Sequence, residues 1–598
     1  MRRILVGLGL ALATLAACQQ MGPAAGPAPA PFGQRNAIIF VGDGLRYASV
    51  NPQDGPALYA LKTEGVDFAN SHSLFPTITT VNASAIATGH YIGDTGDFGN
   101  ALLNEKGQIV QLEDDSVLRA MNASYGGNYL NERSLLAAAR AKGFQTAVIG
   151  KTGPAAIQDV TQVGGGGPGI IVDEATGRMR DGQPAGVTLP PDIQQAIAAA
   201  GIPPSPPGRT SGKASIGQVD WLARVATEAV IPQFKKNNRP FVMLFWSPDP
   251  DITQHGQSDG RGTLQPGING PSSKEAIHNA SNALQRIRDA LKAQGLDQTT
   301  DIFVTADHGF STVTRDGAMS SSLALPYTKP QGVQMPTGFA AIDMAKALNL
   351  PLWKADGTPW PMSGPQPTSA NGLIGADPKT PQMVIVANGG AELIYLPDPA
   401  TRKEMAGKVV AHLAQQDYTG AIFVDEGKYG KLPGALGLAD VRLVGSAKTV
   451  RPDIFISYRT HLDGCETELC SILVTDSGYE VGQGTHGSLG RGETRNFMAA
   501  IGPDFKEKFV NTAPISNADI APTLAHILGI DLGGVGKLKG RVITEALKGG
   551  SDVKPTSETK KATPAANGFA TILNLQKVGD AEYFDAAGSE GRAVGVKP

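Results

Sequence analysis

Short runs of apolar, largely β-branched residues recur along the chain and close on Gly, Asp or Pro. They are NAIIFV before Gly42-Asp43-Gly44, TAVIG at 146–150, FVMLFW at 241–246 and DIFVTADHG at 301–309. Between them lie stretches with apolar residues at helical spacing, such as DWLARVATEAVIPQFKK and KEAIHNASNALQRIRDALKAQG. Strands lacking polar alternation are buried on both faces, and strands that alternate with amphipathic helices build a mostly parallel sheet with helices on both faces. The predicted class is α/β. In such sheets functional groups collect beyond the carboxyl ends of the strands, and Asp43, Asp251, Asp307 and His308 all fall just past these runs.

Two regions break the rhythm. A Gly/Pro-rich stretch over about 164–212 and a mixed stretch over about 312–476 are expected as insertions that wall a site within a catalytic domain spanning 36–548. From Gly549 the chain turns polar (DVKPTSETKKATPAANG) and then regains order signals in FATILNLQKV and AEYFDAAG, so 549–598 is expected as a polar linker and C-terminal extension. At the other end, Arg2 and Arg3 precede an apolar stretch from Ile4 to Ala17, too short to span a bilayer and fitting a signal peptide over 1–17. Leu15-Ala16-Ala17-Cys18 resembles a bacterial lipobox, with Cys18 as the lipidated residue and 18–35 as an Ala/Pro/Gly-rich spacer. The expectation is an exported bacterial lipoprotein, bound to a membrane through that anchor alone, its body in the periplasm or outside the cell. A plain signal peptide or a short membrane anchor is the alternative.

Composition narrows the partners. Over 598 residues, 52 Lys and Arg against 55 Asp and Glu give a net charge of −3, which argues against a nucleic-acid-binding surface. The 74 Gly and 42 Pro, scattered without period, imply many loops. Cys465 and Cys470, in GCETELC, are expected as a local disulfide in an exported protein, with a reduced pair or metal ligands as the alternative.

The chemistry-bearing residues are Asp43 in VGDGLR, Thr79 in FPTITTVNASAIATGH, Asp251 and His255 in PDPDITQHG, Asp307 and His308 in TADHG, and His486 in GQGTHGSLGR. Singly each has an ordinary role: Thr79 as a helix cap, Asp43 in a Gly-Asp-Gly turn, Asp251 and His255 as a surface pair. Jointly, carboxylates with imidazoles suit Zn²⁺ better than Mg²⁺ or Ca²⁺. Three carboxylates against two divalent ions leave a charge of about +1, which attracts a phosphate ester and favours deprotonation of a coordinated Thr. Metal coordination supplies the activation that an unassisted Thr lacks.

The order Asp, Thr, Asp-x-x-x-His, Asp-His, His resembles the alkaline phosphatase superfamily, and within it most closely the type I phosphodiesterase/nucleotide pyrophosphatase branch. Pro76-Thr77-Ile78-Thr79 and Asn82, followed by a small-residue stretch ending Ala87-Thr88-Gly89, match that branch, and NADIAPTLAHILGI resembles the closing helix. The resemblance spans about Asn36 to Ile530 without the insertions. It implies an alkaline-phosphatase-like fold with inserted cap regions and Thr79 as nucleophile, forming a phospho-enzyme intermediate. It further implies Asp251, His255 and His486 on one zinc, and Asp43, Thr79, Asp307 and His308 on the other, with Mn²⁺ or Fe as alternatives. Asn100, in GDFGN, falls where the family places an amide that donates to a phosphate oxygen.

The sequence also departs from the pattern. Thr80-Val81-Asn82-Ala83 lacks the family's aromatic and His after the nucleophile, and an aromatic there often helps to hold a nucleobase. Related monoesterases carry Lys-x-Arg where this chain has Lys151-Thr152-Gly153. A monoester dianion asks for more cations than a diester monoanion, so Lys151 alone favours a phosphodiesterase, with a phosphomonoesterase as the alternative. A binding lipoprotein would not require Thr79.

Overall fold

The computed structural model describes residues 35–328 and 334–596. The expected signal peptide, Cys18 and the spacer as far as residue 34 lie outside the described residues. Among the latter, eight strands form the central sheet: β1 (Asn36–Gly42), β2 (Val66–Phe68), β3 (Gln145–Gly150), β4 (Ile170–Asp173), β5 (Phe241–Ser247), β6 (Thr300–Thr305), β7 (Met498–Ile501) and β8 (Phe509–Asn511). Their spatial order is β8-β2-β7-β6-β1-β5-β3-β4. β1 is parallel to β5 and β6, and β3 to β5 and β4, whereas β7 runs antiparallel to β6 and β2. The sheet is thus mostly parallel, as the strand and helix rhythm implies.

β1 shows why its sequence is apolar throughout. Ile38 and Phe40 enter one core, under the helices Ile216–Arg224 and Pro271–Ala293, while Ala37, Ile39 and Val41 enter the other with the helices Thr79–Thr88 and Ile520–Leu528. Successive side chains alternate between faces, and both faces are covered.

The two expected insertions carry more regular structure than loops alone. The first supplies β4, an edge strand of the central sheet. The second contains a seven-stranded sheet between Leu352 and Tyr458, nearly all antiparallel. One face of that sheet (Val386, Leu393, Phe423, Phe455) joins the main core, and the other (Ile385, Ile394, Ile422, Ile456) packs under the helices Phe339–Leu348 and Arg402–Leu413. Cys465 and Cys470 are disulfide-bonded in the loop between the strands Thr460–Leu462 and Ser471–Val474. Among the described residues no helix is long and apolar enough to cross a membrane.

The C-terminal extension folds as well. Thr556–Lys561, inside the stretch expected as a polar linker, pairs with Ile572–Val578, which pairs with Ala581–Gly588. Its Lys and Glu side chains are those of an edge strand, where charge discourages further pairing. Leu573, Leu575, Phe584 and Ala587 join the main core, so the extension belongs to the folded body. Phe584→Ala is therefore expected to cost about 3–5 kcal/mol in denaturant unfolding, the usual range for a buried Phe. A loss below about 1 kcal/mol would show that the extension is an independent appendage.

Candidate active site

The candidate residues are brought together by strand ends and short turns. Where β1 runs out, the Asp43 N–H donates to the Ser247 carbonyl at the end of β5 (3.1 Å), and the Asp251 N–H donates to the Asp43 carbonyl (3.0 Å). Gly44 has φ +67°, and a Cβ there would lie 2.8 Å from the Phe310 ring, so only glycine lets the backbone pass. The Gly44 N–H donates to Asp307 Oδ1 (3.0 Å), tying the end of β1 to that of β6. The helix Asp251–Gly256 puts Asp251 and His255 on one face at i,i+4 spacing. Thr79 opens the helix Thr79–Thr88. Asn82 braces the turn before it, accepting from the Leu74 N–H (2.8 Å) and donating to the Ile78 carbonyl (3.2 Å).

All seven ligand candidates converge, in two abutting groups. In one, His308 Nε2 lies 3.1 Å from Asp307 Oδ2, 3.8 Å from Asp43 Oδ1 and 3.2 Å from Thr79 Oγ1. In the other, Asp251 Oδ1 lies 3.2 Å from His255 Nε2 and 3.5 Å from His486 Nε2. The His308 and His486 rings stack with centroids 3.5 Å apart, which joins the groups.

Each carboxylate in this cluster has one oxygen held and one left over. Asp43 Oδ2 accepts from Trp246 Nε1 (2.7 Å), Asp251 Oδ2 from Lys151 Nζ (3.0 Å) and Asp307 Oδ1 from the Gly44 N–H. The remaining oxygens, Asp43 Oδ1, Asp251 Oδ1 and Asp307 Oδ2, are buried without a hydrogen-bond partner. The histidines are set in the same sense: the Nδ1 atoms of His255, His308 and His486 each lie 2.8 Å from a backbone carbonyl, those of Gly484, Gly309 and Thr77. A carbonyl only accepts, which assigns the proton to Nδ1 and turns each Nε2 lone pair towards the orphaned oxygens when the ring is neutral. Acceptors facing acceptors require positive charge between them. Ligands at ~2.0–2.1 Å in a tetrahedral zinc shell lie about 3.3 Å apart, close to the separations found within each group, so the residues present fit divalent cations.

The electrostatics agree. Burial, then the charges of Asp251 and Asp307, push the Asp43 carboxyl well above the ordinary carboxylate range. Burial opposes charge on His308, but Asp307 and Asp251 outweigh it and raise the imidazole. Burial and the neighbouring His308 push His486 well down. Against burial, Lys151 and His255 hold the Asp251 carboxyl well below its usual range, so the pull on further positive charge is greatest at Asp43 and His308. A third buried group of similar composition, His90, Asp94 and Glu132, differs in the decisive respect. Its carboxylate oxygens already accept backbone N–H groups from Ser446, Val535, Gly536 and Leu538, making it a clasp between loops.

A cleft of about 300 Å³ opens on Thr79, Asp251, His255 and His486. Asn100 lines it, with Oδ1 accepting from the Thr80 N–H (3.0 Å) and Nδ2 donating to Glu113 Oε2 (3.1 Å). Lys151 also lines it, with Nζ 3.1 Å from Asp43 Oδ2, 3.0 Å from Asp251 Oδ2 and 3.3 Å from Glu113 Oε1. Both insertions contribute walls, Arg209 from the first and Ala387, Asn388 and Gly389 from the second. Four residues here were not singled out by the sequence. Trp246, near the end of β5, was within reach of the strand-end rule. Glu113, Arg209 and Tyr479, whose ring stacks on His255 at 4.5 Å, lie on segments that no local pattern connects to the site.

No curated protein sequence matches this chain. Among solved structures it is similar to human ectonucleotide pyrophosphatase/phosphodiesterase 5, at 13% identity and a TM-score of 0.48, over 86% of this chain and 100% of that one. The murine protein of the same name, an inactive variant in complex with AMP, matches at 12% identity with the same TM-score and coverage. A family model, that of type I phosphodiesterase/nucleotide pyrophosphatase, matches residues 37–344. That match takes in just over half of the chain, from β1 through β6 to the Asp307-His308 pair, and the chain belongs to the type I phosphodiesterase/nucleotide pyrophosphatase family.

Proposed function

We propose that the protein is a two-zinc phosphodiesterase or nucleotide-pyrophosphatase-type hydrolase that works through a phospho-threonine at Thr79. The observation that carries this is the convergence of three orphaned carboxylate oxygens and three imidazole Nε2 atoms around one buried hydroxyl. Asp43, Asp307, His308 and Thr79 would hold one zinc and Asp251, His255 and His486 the other, with Mn²⁺ or Fe as alternatives. Bound there, the ions would lower the pKa of the Thr79 hydroxyl and of an incoming water, and neutralise charge on the departing oxygen.

The chain's own residues do the rest. Thr79 Oγ1 bonds to phosphorus as the bond to the leaving oxygen breaks, and water then displaces the threonine oxygen. Thr79 is the first residue of its helix, whose positive end favours an anion there. The Thr80 N–H fixes the Asn100 amide with its NH₂ towards the cleft, where it can donate to a non-bridging oxygen as charge accumulates. Lys151, between Asp43 and Asp251, orients both carboxylates and is positioned to reach a phosphate oxygen. The N-terminal sequence supports an exported lipoprotein anchored through Cys18.

A phosphomonoesterase reading has one observation in its favour: Arg209 lines the cleft with Lys151 and offers a second cation. Parallel assays decide between them. Bis-p-nitrophenyl phosphate is expected to be hydrolysed with higher kcat/KM than p-nitrophenyl phosphate, and a clear monoester preference would overturn the diester assignment.

A further inference from the structure

Every cation in the cleft is matched by a carboxylate outside the ligand set. Lys151 faces Glu113 at 3.3 Å. Arg209 pairs with Glu174 through Nε (3.0 Å) and Nη2 (2.6 Å). Glu113 is the more consequential of the two, because it receives donors from both groups positioned to meet phosphate oxygens, Asn100 Nδ2 and Lys151 Nζ. Its side chain is about a third exposed (34%) and lines the cleft that opens on Thr79. We propose that Glu113 is a specificity-determining residue, a fixed negative charge beside the phosphoryl site that selects monoanionic phosphodiesters against dianionic monoesters.

The selection is electrostatic and rests on the function proposed above. The three ligand carboxylates against two divalent ions leave about +1, and the Lys151/Glu113 and Arg209/Glu174 pairs add nothing to it. That excess falls to about zero once Thr79 ionises, so a diester, with one negative charge, burdens the site less than a dianion and can turn an uncharged ester oxygen towards Glu113. A monoester dianion brings a second charge to a carboxylate that already occupies the nearby donors, and like charges this close repel in a partly desolvated cleft. Specificity built on repulsion of the wrong ligand needs no additional contact with the right one. The missing Arg of the Lys-x-Arg pattern and the charge of Glu113 act in the same direction.

The test compares wild type with Glu113→Gln, which removes the charge at constant shape, and Glu113→Asp, which keeps it. The ratio of kcat/KM for p-nitrophenyl phosphate to that for bis-p-nitrophenyl phosphate is expected to rise about tenfold in Glu113→Gln, the scale of one charge pair in a partly exposed site, and to stay near wild type in Glu113→Asp. Inorganic phosphate, titrated calorimetrically into the zinc-loaded proteins, is expected to bind Glu113→Gln more tightly by a similar factor. That measurement reads the proposal even if neither ester is turned over, a result that would overturn the proposed function alone. If wild type prefers the monoester but the ratio still rises, the diester assignment falls and Glu113's role stands. An unchanged ratio with unchanged phosphate affinity, or a ratio that falls, overturns the proposal.

Discussion

Thr79→Ala is expected to lower kcat on a phosphodiester by about 10⁴-fold or more, the scale seen when a covalent nucleophile is removed. The rest of the protein should hardly register the change. Thr79 is fully buried, and the hydrogen bond shown for its hydroxyl is the 3.2 Å contact to His308 Nε2. It does not cap its helix, whose N-cap is Ile78, and Ala is a good residue in the first turn. The Asn82 brace on the turn and the Thr80–Asn100 hydrogen bond do not involve the lost oxygen. Turnover, zinc content and far-ultraviolet circular dichroism measured on the same preparation separate the outcomes. Loss of turnover with about two zinc ions per chain and an unchanged spectrum is the expected triad. Unchanged turnover would remove Thr79 from the mechanism. Thr79→Ser, which restores a hydroxyl on the same Cβ, should recover part of the rate and accumulate a phosphoryl group on Ser.

Much of the site could be read before the structure, for a reason visible in the sheet. Asp43, Asp251, Asp307 and His308 follow apolar runs that become β1, β5 and β6, adjacent parallel strands whose carboxyl ends share one edge. Strand ends are a local signal, so residues hundreds of positions apart could be grouped without knowing any contact. The second sheet shows the limit. MVIVAN, AELIY and DIFISY are individually strand-like, yet the strand Ala391–Tyr395 pairs with Ile454–Tyr458 across some sixty intervening residues, and no periodicity encodes that choice. Glu113 and Arg209 were invisible on the same ground, since each reaches the cleft from a loop whose course depends on what it packs against. TSETKK was misleading in another way: an exposed edge strand has no apolar face to reveal it.

Removing divalent metal with a strong chelator is expected to cost at least about 10³-fold in activity, because Thr79 then has neither an activating ion nor compensation for the charge on the leaving oxygen. Zinc restored to about two equivalents should recover it. The same titration carries a stability signature with a definite sign. Without metal, Asp43 and His308 have pKa values raised above those of the unfolded chain, as burial and neighbouring carboxylates act on Asp43 and Asp307 outweighs burial at His308. At these two groups the folded apoprotein binds more protons than the unfolded chain above their ordinary pKa values, and their contribution to stability is present at low pH and lost as pH rises through the shifted ones, whereas the lowered His486 acts in the opposite sense and has no proton for zinc to displace. Zinc supplies positive charge without those protons and must displace them to bind, so its affinity grows with pH. The gap in melting temperature between zinc-loaded and chelated protein should widen from pH 5 to pH 8. At a thousandfold excess over Kd each site contributes about 4 kcal/mol. A gap that narrows as pH rises would overturn the displacement of protons by zinc, and full activity after exhaustive chelation, with no gap at any pH, would show that the orphaned oxygens of Asp43, Asp251 and Asp307 hold protons in the working protein rather than metal.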